Sequence, residues 1–342
     1  MTYCTVNNHR EGSLLQPDAL ANRTVSYSVV CPLFNEQSNI EVLYRRLAPV
    51  LDGLALFTWE LIFVDDGSHD RSWSLILALH ARDPRVKGLR FSRNFGHHVA
   101  LTAGLDFASG ERIVTMDSDL QDQPEEIRAL AAKMDEGYDL VYAERKGRQH
   151  SLMKRINSAY FFWFLNKMAR VPHPITGAVF RMMSRNFLEE LRRLRECHRF
   201  FTGLTAWLGF RQASVLVEHG GRHAGTTKYD LFKMLRLAAD SITSFSTQPL
   251  YYVIYMGAAI TVLSIAFGLY VLVDYFVSGF PIIGWASLIT ATTFFGGVIL
   301  FTLGVIGQYI ARIFEQVKQR PIYIVQELVG DALALQRSRG PS

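Results

Sequence analysis

The sequence predicts an α/β domain, built on a mostly parallel sheet and followed by two membrane-spanning helices. Three observations support this fold class. Strand-like apolar runs alternate with helix-like runs from residue 27 to about residue 175. Three of those strands end in polar clusters that contain acidic residues. Two C-terminal segments, 249–273 and 282–307, have no charged residue, and each exceeds the roughly 20 residues that cross a bilayer.

Each element of the α/β part follows from its own local pattern. Apolar runs rich in β-branched and aromatic residues predict strands at 27–34, 59–66, 86–92, 112–119 and 139–145. Helical spacing of apolar residues, such as Ile40, Leu43 and Leu47, predicts helices at 39–51, 71–82, 97–109 and 124–134. Pro124 suits the first turn of the last of these helices. The alternation predicts a sheet covered on both faces.

The same patterns divide the chain into successive regions. We expect a polar N-terminal tail, a catalytic domain, an amphipathic juxtamembrane helix, a helical hairpin in the membrane and a C-terminal segment. The predicted bounds are 1–25, 26–228, 229–247, 248–313 and 314–342.

Charge around the two apolar segments predicts their orientation. The turn at 274–281 has no Lys or Arg, whereas Lys233 and Arg236 precede the first segment and Arg312 and Lys318 follow or end the second. The positive-inside rule therefore places both flanks in the cytoplasm. The N-terminal residues lack an apolar signal segment. We expect a multi-pass protein of the inner (cytoplasmic) membrane, with the catalytic domain and both termini cytoplasmic.

Composition and the missing motifs narrow the function. Lys and Arg exceed Asp and Glu by 36 − 31 = 5, and the pI is about 9.1. This mild basicity fits a membrane surface or a phosphorylated substrate and gives no support for nucleic acid as a partner. The cysteines, Cys4, Cys31 and Cys197, have no metal-ligand spacing. Neither a GxGxxG nor a P-loop motif is present, which disfavours dinucleotide-binding and P-loop proteins.

Carboxylates at the end of the fourth strand predict a metal site. Asp117 and Asp119 end an apolar run, and Gln121 follows them. Clustered carboxylates raise one another's pKa, and a divalent cation relieves that repulsion. Carboxylate and amide oxygens suit Mg²⁺ or Mn²⁺, with substrate phosphates and water completing the shell.

Six motifs, taken in order, resemble one enzyme family. They are VVCPLFNE (29–36), FVDDGSHD (63–70), FSRNFGHHVALTAGLDFASGE (91–111), MDSDLQDQPEEI (116–127), AERKGR (143–148) and GTTKYDLFKML (225–235). The chain resembles the polyisoprenyl-phosphate glycosyltransferases of glycosyltransferase family 2, which include the dolichol-phosphate mannose synthases. With two C-terminal spans, it is most similar to the bactoprenol (undecaprenyl-phosphate) glucosyltransferases. The resemblance covers residues 27 to 325.

This resemblance implies a GT-A fold and an inverting sugar transfer from a nucleotide sugar to a polyprenyl phosphate. It also implies roles for particular residues. The nucleotide sugar would be bound by Pro32, Leu33, Phe34, Glu36, Asp65, Asp66, Asp117 and Ser118, with Asp65 and Asp66 on the uracil or ribose. The metal ligands would be Asp117, Asp119 and Gln121. The acceptor phosphate would be bound by Arg145, Arg155, Arg222 and Lys228. The catalytic group would comprise Asp117, Asp119, Arg145 and Lys228.

Several alternatives remain open on the sequence. A processive polysaccharide synthase shares the core, but its QxxRW motif is missing here. A nucleotide-sugar-binding pseudoenzyme would be expected to lose the DxD, which this chain retains. UDP-glucose is the expected donor, with GlcNAc, galactose, mannose and aminoarabinose donors still open. Members of the family can be tetramers, so a homo-oligomer is possible. His97 and His98 open a helix and are expected to cap or pack it.

Overall fold

The computed structural model describes residues 25–55, 58–145, 178–197, 201–217, 248–278 and 284–330. Within these ranges eight strands form one sheet: β1 (Val25–Leu33), β2 (Thr58–Asp65), β3 (Val86–Phe91), β4 (Arg112–Thr115), β5 (Leu140–Arg145), β6 (Arg181–Ser184), β7 (Gln212–Val217) and β8 (Val325–Val329). Their order is β7-β5-β6-β4-β1-β2-β3-β8. Strands β4, β1, β2 and β3 are parallel neighbours, as are β5 and β7. The mostly parallel sheet predicted from the sequence is therefore confirmed.

The described helices are α1 (Ile40–Asp52), α2 (Ser72–Arg82), α3 (His97–Phe107), α4 (Ile127–Met134), α5 (Arg185–Arg193), α6 (Phe201–Trp207), α7 (Gln248–Ser278) and α8 (Trp285–Val317). The first four match the predicted helices. A 3-10 turn, Pro124–Glu126, precedes α4 and carries the proline at its start.

The helices cover the two faces of the sheet with separate apolar layers. One layer packs α1, α2 and α4 on the sheet through side chains such as Leu43, Ile76 and Leu130. The other packs α3, α5 and α6 through side chains such as Leu101, Phe187 and Phe201. Each such buried side chain stabilises the fold by about 2–3 kcal/mol relative to exposure. The central strands β1, β2 and β4 are therefore mostly apolar and buried.

The fourth strand is shorter than the sequence suggested. Its ladder ends at Thr115 rather than at residue 119. The Thr115 hydroxyl donates to the carbonyl of Val179, 2.7 Å away, and the chain then leaves the sheet. Asp117 and Asp119 consequently belong to a loop beyond the strand, which frees their carboxylates from the alternation of a β-strand.

Besides β8, which is described below, four elements were not predicted from the sequence: β6, α5, α6 and β7. Strand β6 has only four residues and inserts antiparallel between β4 and β5. Ser184 then caps α5, since its hydroxyl accepts the Phe187 backbone N–H. Together these elements extend the sheet beyond β4 on the side away from β1.

The two C-terminal helices are long and apolar enough, by length and composition, to cross a membrane. The apolar stretches are Leu250–Tyr270 and Phe294–Val317, and neither is buried. Large apolar side chains such as Phe267 and Leu300 are exposed along them. Helix α8 continues to Val317, ten residues past the predicted end at 307, because no Gly or Pro interrupts it there.

The segment after α8 returns to the catalytic sheet. Strand β8 pairs antiparallel with β3, Tyr323 stacks on Phe91 with 5.4 Å between ring centroids, and its hydroxyl donates to Asp106 at 2.9 Å. The sequence predicted only a cytoplasmic C-terminal segment at 314–342, with no strand in it. The structure instead makes β8 the edge strand of the domain, a long-range pairing that local sequence patterns do not encode.

Candidate active site

The carboxyl ends of β1, β2 and β4 meet at one edge of the sheet and enclose a cleft of about 330 Å³. Ligands bind at this edge in open α/β sheets. Eight of the predicted nucleotide-sugar and metal residues line the cleft: Pro32, Leu33, Phe34, Glu36, Asp66, Asp117, Ser118 and Asp119. Four further lining residues were not predicted: Asn94, Gly96, His97 and Ala100.

The loops after β1 and β2 hold each other in place. The Asn35 N–H donates to the Ser68 hydroxyl at 2.8 Å, and the His69 N–H donates to the Asn35 side-chain oxygen at 2.9 Å. The Glu36 N–H donates to the Ser72 hydroxyl at 3.1 Å. Asn35 adopts φ 57°, a left-handed conformation that asparagine tolerates. This exchange fixes the backbone that presents Phe34 and Glu36 to the cleft.

Asp66 fixes the loop on the opposite wall of the cleft. Its carboxylate accepts the backbone N–H groups of Phe95 at 2.6 Å and Gly96 at 2.9 Å. Burial raises the pKa of Asp66, and these two hydrogen bonds oppose that rise. Gly67 has φ +73°, and a Cβ there would lie 2.7 Å from the Arg93 backbone. The close approach of the two loops therefore requires glycine.

Asp65 does not line the cleft, although the sequence placed it beside Asp66 on the uracil or ribose. Its side chain is fully buried, accepts the Ser68 N–H at 2.9 Å and lies 3.6 Å from the Arg90 guanidinium. As the last residue of β2, it points to the opposite face from Asp66. The structure gives Asp65 a position behind the loop that it supports, and its contact with a nucleotide stays a prediction.

The loop that carries the DxD is strained and internally bonded. Leu120 has φ 61°, which is uncommon for a branched residue. The Asp119 carboxylate accepts the Gln121 N–H at 3.0 Å, and the Ser118 hydroxyl donates to the Pro32 carbonyl at 3.1 Å. Strain of this kind concentrates at functional sites, where surrounding contacts enforce it. Asp117 and Asp119 line the cleft from this loop.

His97, which we expected to cap or pack α3, instead lines the cleft. Its Nε2 lies 3.5 Å from an Asp117 carboxylate oxygen, and its side chain is 42% exposed. Burial lowers the pKa of His97, while Asp66 and Asp119 act to raise it. The RNFGHH sequence after β3 was its only signal. Its neighbour His98 is partly buried, as packing predicted.

The electrostatics of the cleft favour a cation. Burial and the nearby Asp119 raise the pKa of Glu36, although its hydrogen bond with Asn39 opposes this. Burial together with Asp117 and Asp122 raises the pKa of the Cys31 thiol. Burial is the largest cause of both pKa shifts, and the neighbouring carboxylates add to each of them.

The residues of the DxD loop fit a divalent metal that also binds substrate. Asp117 and Asp119 are hard oxygen donors on one cleft wall. Within the described ranges, no three His, Cys, Asp or Glu side chains converge to form a complete protein-only site. Mg²⁺ commonly uses one or two carboxylates and takes its remaining ligands from phosphates and water. Gln121 is not among the lining residues, so its role as a third ligand stays a prediction.

Most of the predicted acceptor-binding cations lie outside the described residues, namely Arg155, Arg222 and Lys228, as does the predicted juxtamembrane helix at 229–247. Arg145 ends β5, where its backbone pairs with Val217 of β7. Its position is therefore on the sheet edge that carries the cleft, on the far side of β6 and β4 from β1.

Comparison with known proteins identifies the family of the chain. Residues 28–192 match the family described as Glycosyl transferase family 2. The chain is 43% identical to the uncharacterized glycosyltransferase YkcC of Bacillus subtilis, across 90% of this chain and 96% of that protein. It is 38% identical to the SfII prophage-derived bactoprenol glucosyl transferase of Shigella flexneri, across 88% and 97%.

Among solved structures, the fold is similar to glucosyl-3-phosphoglycerate synthase of Mycobacterium tuberculosis in complex with Mn²⁺, UDP-glucose and phosphoglyceric acid. The TM-score is 0.45 at 23% identity, covering 66% of this chain and 81% of that one. The full-length relatives and the family match, together with a mostly parallel sheet and two apolar C-terminal helices that indicate membrane association, lead to one conclusion. The chain belongs to glycosyl transferase family 2 and is a glycosyltransferase.

Proposed function

We propose that this protein transfers glucose from UDP-glucose to undecaprenyl phosphate, with inversion, at the cytoplasmic face of the membrane. The product is a polyprenyl-phosphate-linked monosaccharide. One observation carries the proposal. The domain that contains the acidic cleft also contains β8, and β8 follows the two membrane-length helices in the chain, so these helices are tethered to the cleft domain at both ends. The names of full-length relatives, bactoprenol glucosyl transferases, supply the acceptor class.

The cleft has the chemistry that a nucleotide sugar requires. Phe34 is 41% exposed at its rim and offers an aromatic face to a base. Asp66 accepts from the loop at Phe95 and Gly96 and so shapes the pocket around the base or ribose. Glu36 and Ser118 complete the polar lining.

A divalent cation, Mg²⁺ or Mn²⁺, is proposed at Asp117 and Asp119, with Gln121 as a further oxygen ligand. When bound, it would neutralise the negative charge that develops on the departing nucleoside diphosphate. The chain's own contribution is to hold two carboxylates on one strained loop, so that little reorganisation accompanies the reaction.

The proposed acceptor does not require a general base. The second ionisation of a phosphate monoester lies near neutrality, so much of the acceptor is already an anionic nucleophile. The site then needs cations that gather and orient the phosphate. Arg145, Arg155, Arg222 and Lys228 are proposed for this role, the last three by family resemblance alone.

The sheet constrains the topology. Strand β3 precedes the two apolar helices and β8 follows them, yet the two strands pair in one sheet. If both helices cross the membrane, their outer flanks must lie on the same side. The Lys and Arg residues on those flanks favour the cytoplasmic side, and we propose that both termini lie there.

The test uses full-length protein in nanodiscs with undecaprenyl phosphate, Mn²⁺ and a panel of labelled nucleotide sugars. Mass spectrometry of the lipid fraction identifies the product. We expect one hexose per lipid with UDP-glucose and no product with Asp119→Ala. A polymeric product would indicate a processive synthase, and binding of UDP-glucose without any transfer would indicate a pseudoenzyme. Either result would overturn the proposal.

A further inference from the structure

Arg181 is one of the largest fully buried side chains in the described structure, with 2% exposure. One guanidinium nitrogen donates to the Thr205 hydroxyl at 2.9 Å, and the other donates to the Ala178 carbonyl. The guanidinium carbon lies 4.9 Å from the Phe201 ring centroid. The Nε–H has no hydrogen-bond partner among the described residues. The group is therefore rigidly held and incompletely satisfied.

No carboxylate among the described residues neutralises this charge. Burial lowers the pKa of Arg181 to about 10, and Tyr142 opposes this fall. The sequence supplies no acidic residue at all between Glu144 and Glu189, a stretch with nine Lys and Arg residues. A buried, unpaired cation costs several kcal/mol. A bound anionic ligand would compensate this charge.

The position of Arg181 connects it to the cleft. It opens β6, opposite Thr115 of β4 and Tyr142 of β5. Because β6 is antiparallel to β4, its first residue lies at the carboxyl edge of β4, where the chain continues to the DxD. The positive charge of Arg181 also acts on α3, where it helps to lower the pKa of His98.

The position of Arg181 relative to the cleft indicates which anionic ligand it would face. The predicted nucleotide residues that line the cleft lie on β1, on β2 and at the DxD loop after β4. Strand β6 lies on the other side of β4, next to β5 and its terminal Arg145. In an inverting transfer, the nucleophile attacks from the face opposite the leaving diphosphate. The diphosphate has the proposed metal as its counter-ion, whereas a phosphate arriving from the β6 side needs another.

We propose that Arg181 is a positioning residue that supplies the fixed positive charge behind the acceptor-phosphate subsite. The ligand class is a phosphate monoester, and the inference rests on the proposed transfer to a polyprenyl phosphate. Arg181 acts through the electric field, because its guanidinium is enclosed by Thr205, Ala178 and Phe201. It favours the dianionic form of the acceptor, which is the better nucleophile.

The experiment compares Arg181→Met, Arg181→Lys and Arg185→Met in nanodiscs. Arg185 is the matched control, since it is also mostly buried but pairs with Glu189 at 2.7 Å and lies at the opposite edge of the sheet. The measurements are kcat/KM for undecaprenyl phosphate between pH 5.5 and 8.5, the Kd of UDP with Mn²⁺, and the Tm.

We expect Arg181→Met to lower kcat/KM for the acceptor about thirtyfold, from a lost charge interaction of about 2 kcal/mol at intermediate dielectric. The acid limb of its pH profile should move to higher pH. The Kd of UDP should change less than twofold, and Arg181→Lys should restore much of the loss and of the pH profile. Arg185→Met should leave the profile and the acceptor KM unchanged.

Three results would overturn the inference. One is an unchanged pH profile in Arg181→Met. The second is an equal loss of UDP affinity, which would assign the charge to the donor. The third is a loss explained by a lower folded fraction, which would make Arg181 structural. Failure of the wild-type protein to glycosylate undecaprenyl phosphate would instead reject the proposed function, so the two failures are distinguishable.

Discussion

The two edges of the sheet use buried carboxylates in opposite ways. At the amino edge, Glu60 is 1% exposed and is surrounded by protein donors. It accepts from the Ser28 hydroxyl at 2.5 Å and the Ser109 N–H at 2.6 Å, and it pairs with Lys87 at 2.7 Å. Its Oε1 accepts both hydrogen bonds and its Oε2 faces the Lys87 ammonium, so its charge is paired within the fold.

At the carboxyl edge, Asp117 and Asp119 line an open cleft together with Glu36 and Asp66. These carboxylates lie near one another, and burial and mutual repulsion raise the pKa of Glu36. The difference shows that buried carboxylates can have two different roles in the same sheet. Glu60 stabilises the fold, whereas the cleft carboxylates cost stability until a cation and its ligands arrive.

The largest expected effect is at Asp119. Asp119→Ala should lower turnover of UDP-glucose at least about a thousandfold, because an electrostatic contribution of several kcal/mol to the transition state is lost. The Tm should change little, since relief of repulsion among the cleft carboxylates offsets the lost hydrogen bond from the Gln121 N–H. Product formation by mass spectrometry and thermal unfolding without added metal measure the two quantities.

Asp135→Ala is the control for this variant, because Asp135 is 63% exposed and pairs with Arg112 far from the cleft. It should retain activity. Excess chelator should reproduce the Asp119→Ala result in the wild-type protein. Full turnover in chelator, or in Asp119→Ala, would contradict the functional half of the comparison.

The reverse pattern is expected for Glu60. Glu60→Ala should lower the free energy of unfolding by about 3–5 kcal/mol, because Lys87 is left partly buried without its partner. Turnover per folded molecule should remain within about twofold. Urea unfolding and active-site titration check the two parts. A double variant, Glu60→Ala with Lys87→Met, should recover part of the stability, and equal losses in the single and double variants would contradict the pairing.

The carboxyl edge was also the more predictable one from sequence. Apolar runs that end in acidic residues are local features, so the strands before Asp66 and Asp117 and the position of the DxD beside the cleft could be anticipated. Two apolar segments gave the helices α7 and α8. The amino edge offered no such pattern, since Ser28, Glu60 and Ser109 meet only through strand pairing.

The features that sequence did not predict depend on long-range contacts or on very short elements. Strand β6 has only four residues, begins with Arg181 and ends with Ser184, so its two apolar residues are too few to predict a strand. Strand β8 pairs with β3 across both apolar helices. His97 was assigned to packing because a helix N-terminus is common, whereas its position in the cleft depends on how Asp66 holds the preceding loop.

A smaller effect on the free energy of unfolding is expected at acidic pH, and it depends on His98. Burial, His97 and Arg181 lower the pKa of His98 to about 4. The unfolded chain binds this proton near pH 6.5 and the folded chain resists it, so the free energy of unfolding should fall as pH drops from 6.5 to 4. The change is up to about 3 kcal/mol.

His98→Gln should flatten the stability profile in this window. Glu60→Gln should leave the slope above pH 5 unchanged, since it removes no histidine. Urea unfolding at half-unit pH steps measures both slopes. Identical slopes in the wild type and His98→Gln would mean that the folded protein does not hold His98 neutral.

The smallest expected effect is at the lateral edge of the sheet, where β8 pairs with β3. Glu327 accepts from the Trp73 indole at 2.8 Å and from Arg90 at 2.7 Å, but its side chain is 42% exposed. Glu327→Ala should therefore lower the free energy of unfolding by only about 1 kcal/mol, because exposed ion pairs contribute little. Gln326→Ala, at the neighbouring exposed position, should have almost no effect. A loss of stability at Glu327 as large as that at Glu60 would contradict this expectation. It would show that an exposed carboxylate on the edge strand β8 stabilises the domain as strongly as a buried one at the amino edge.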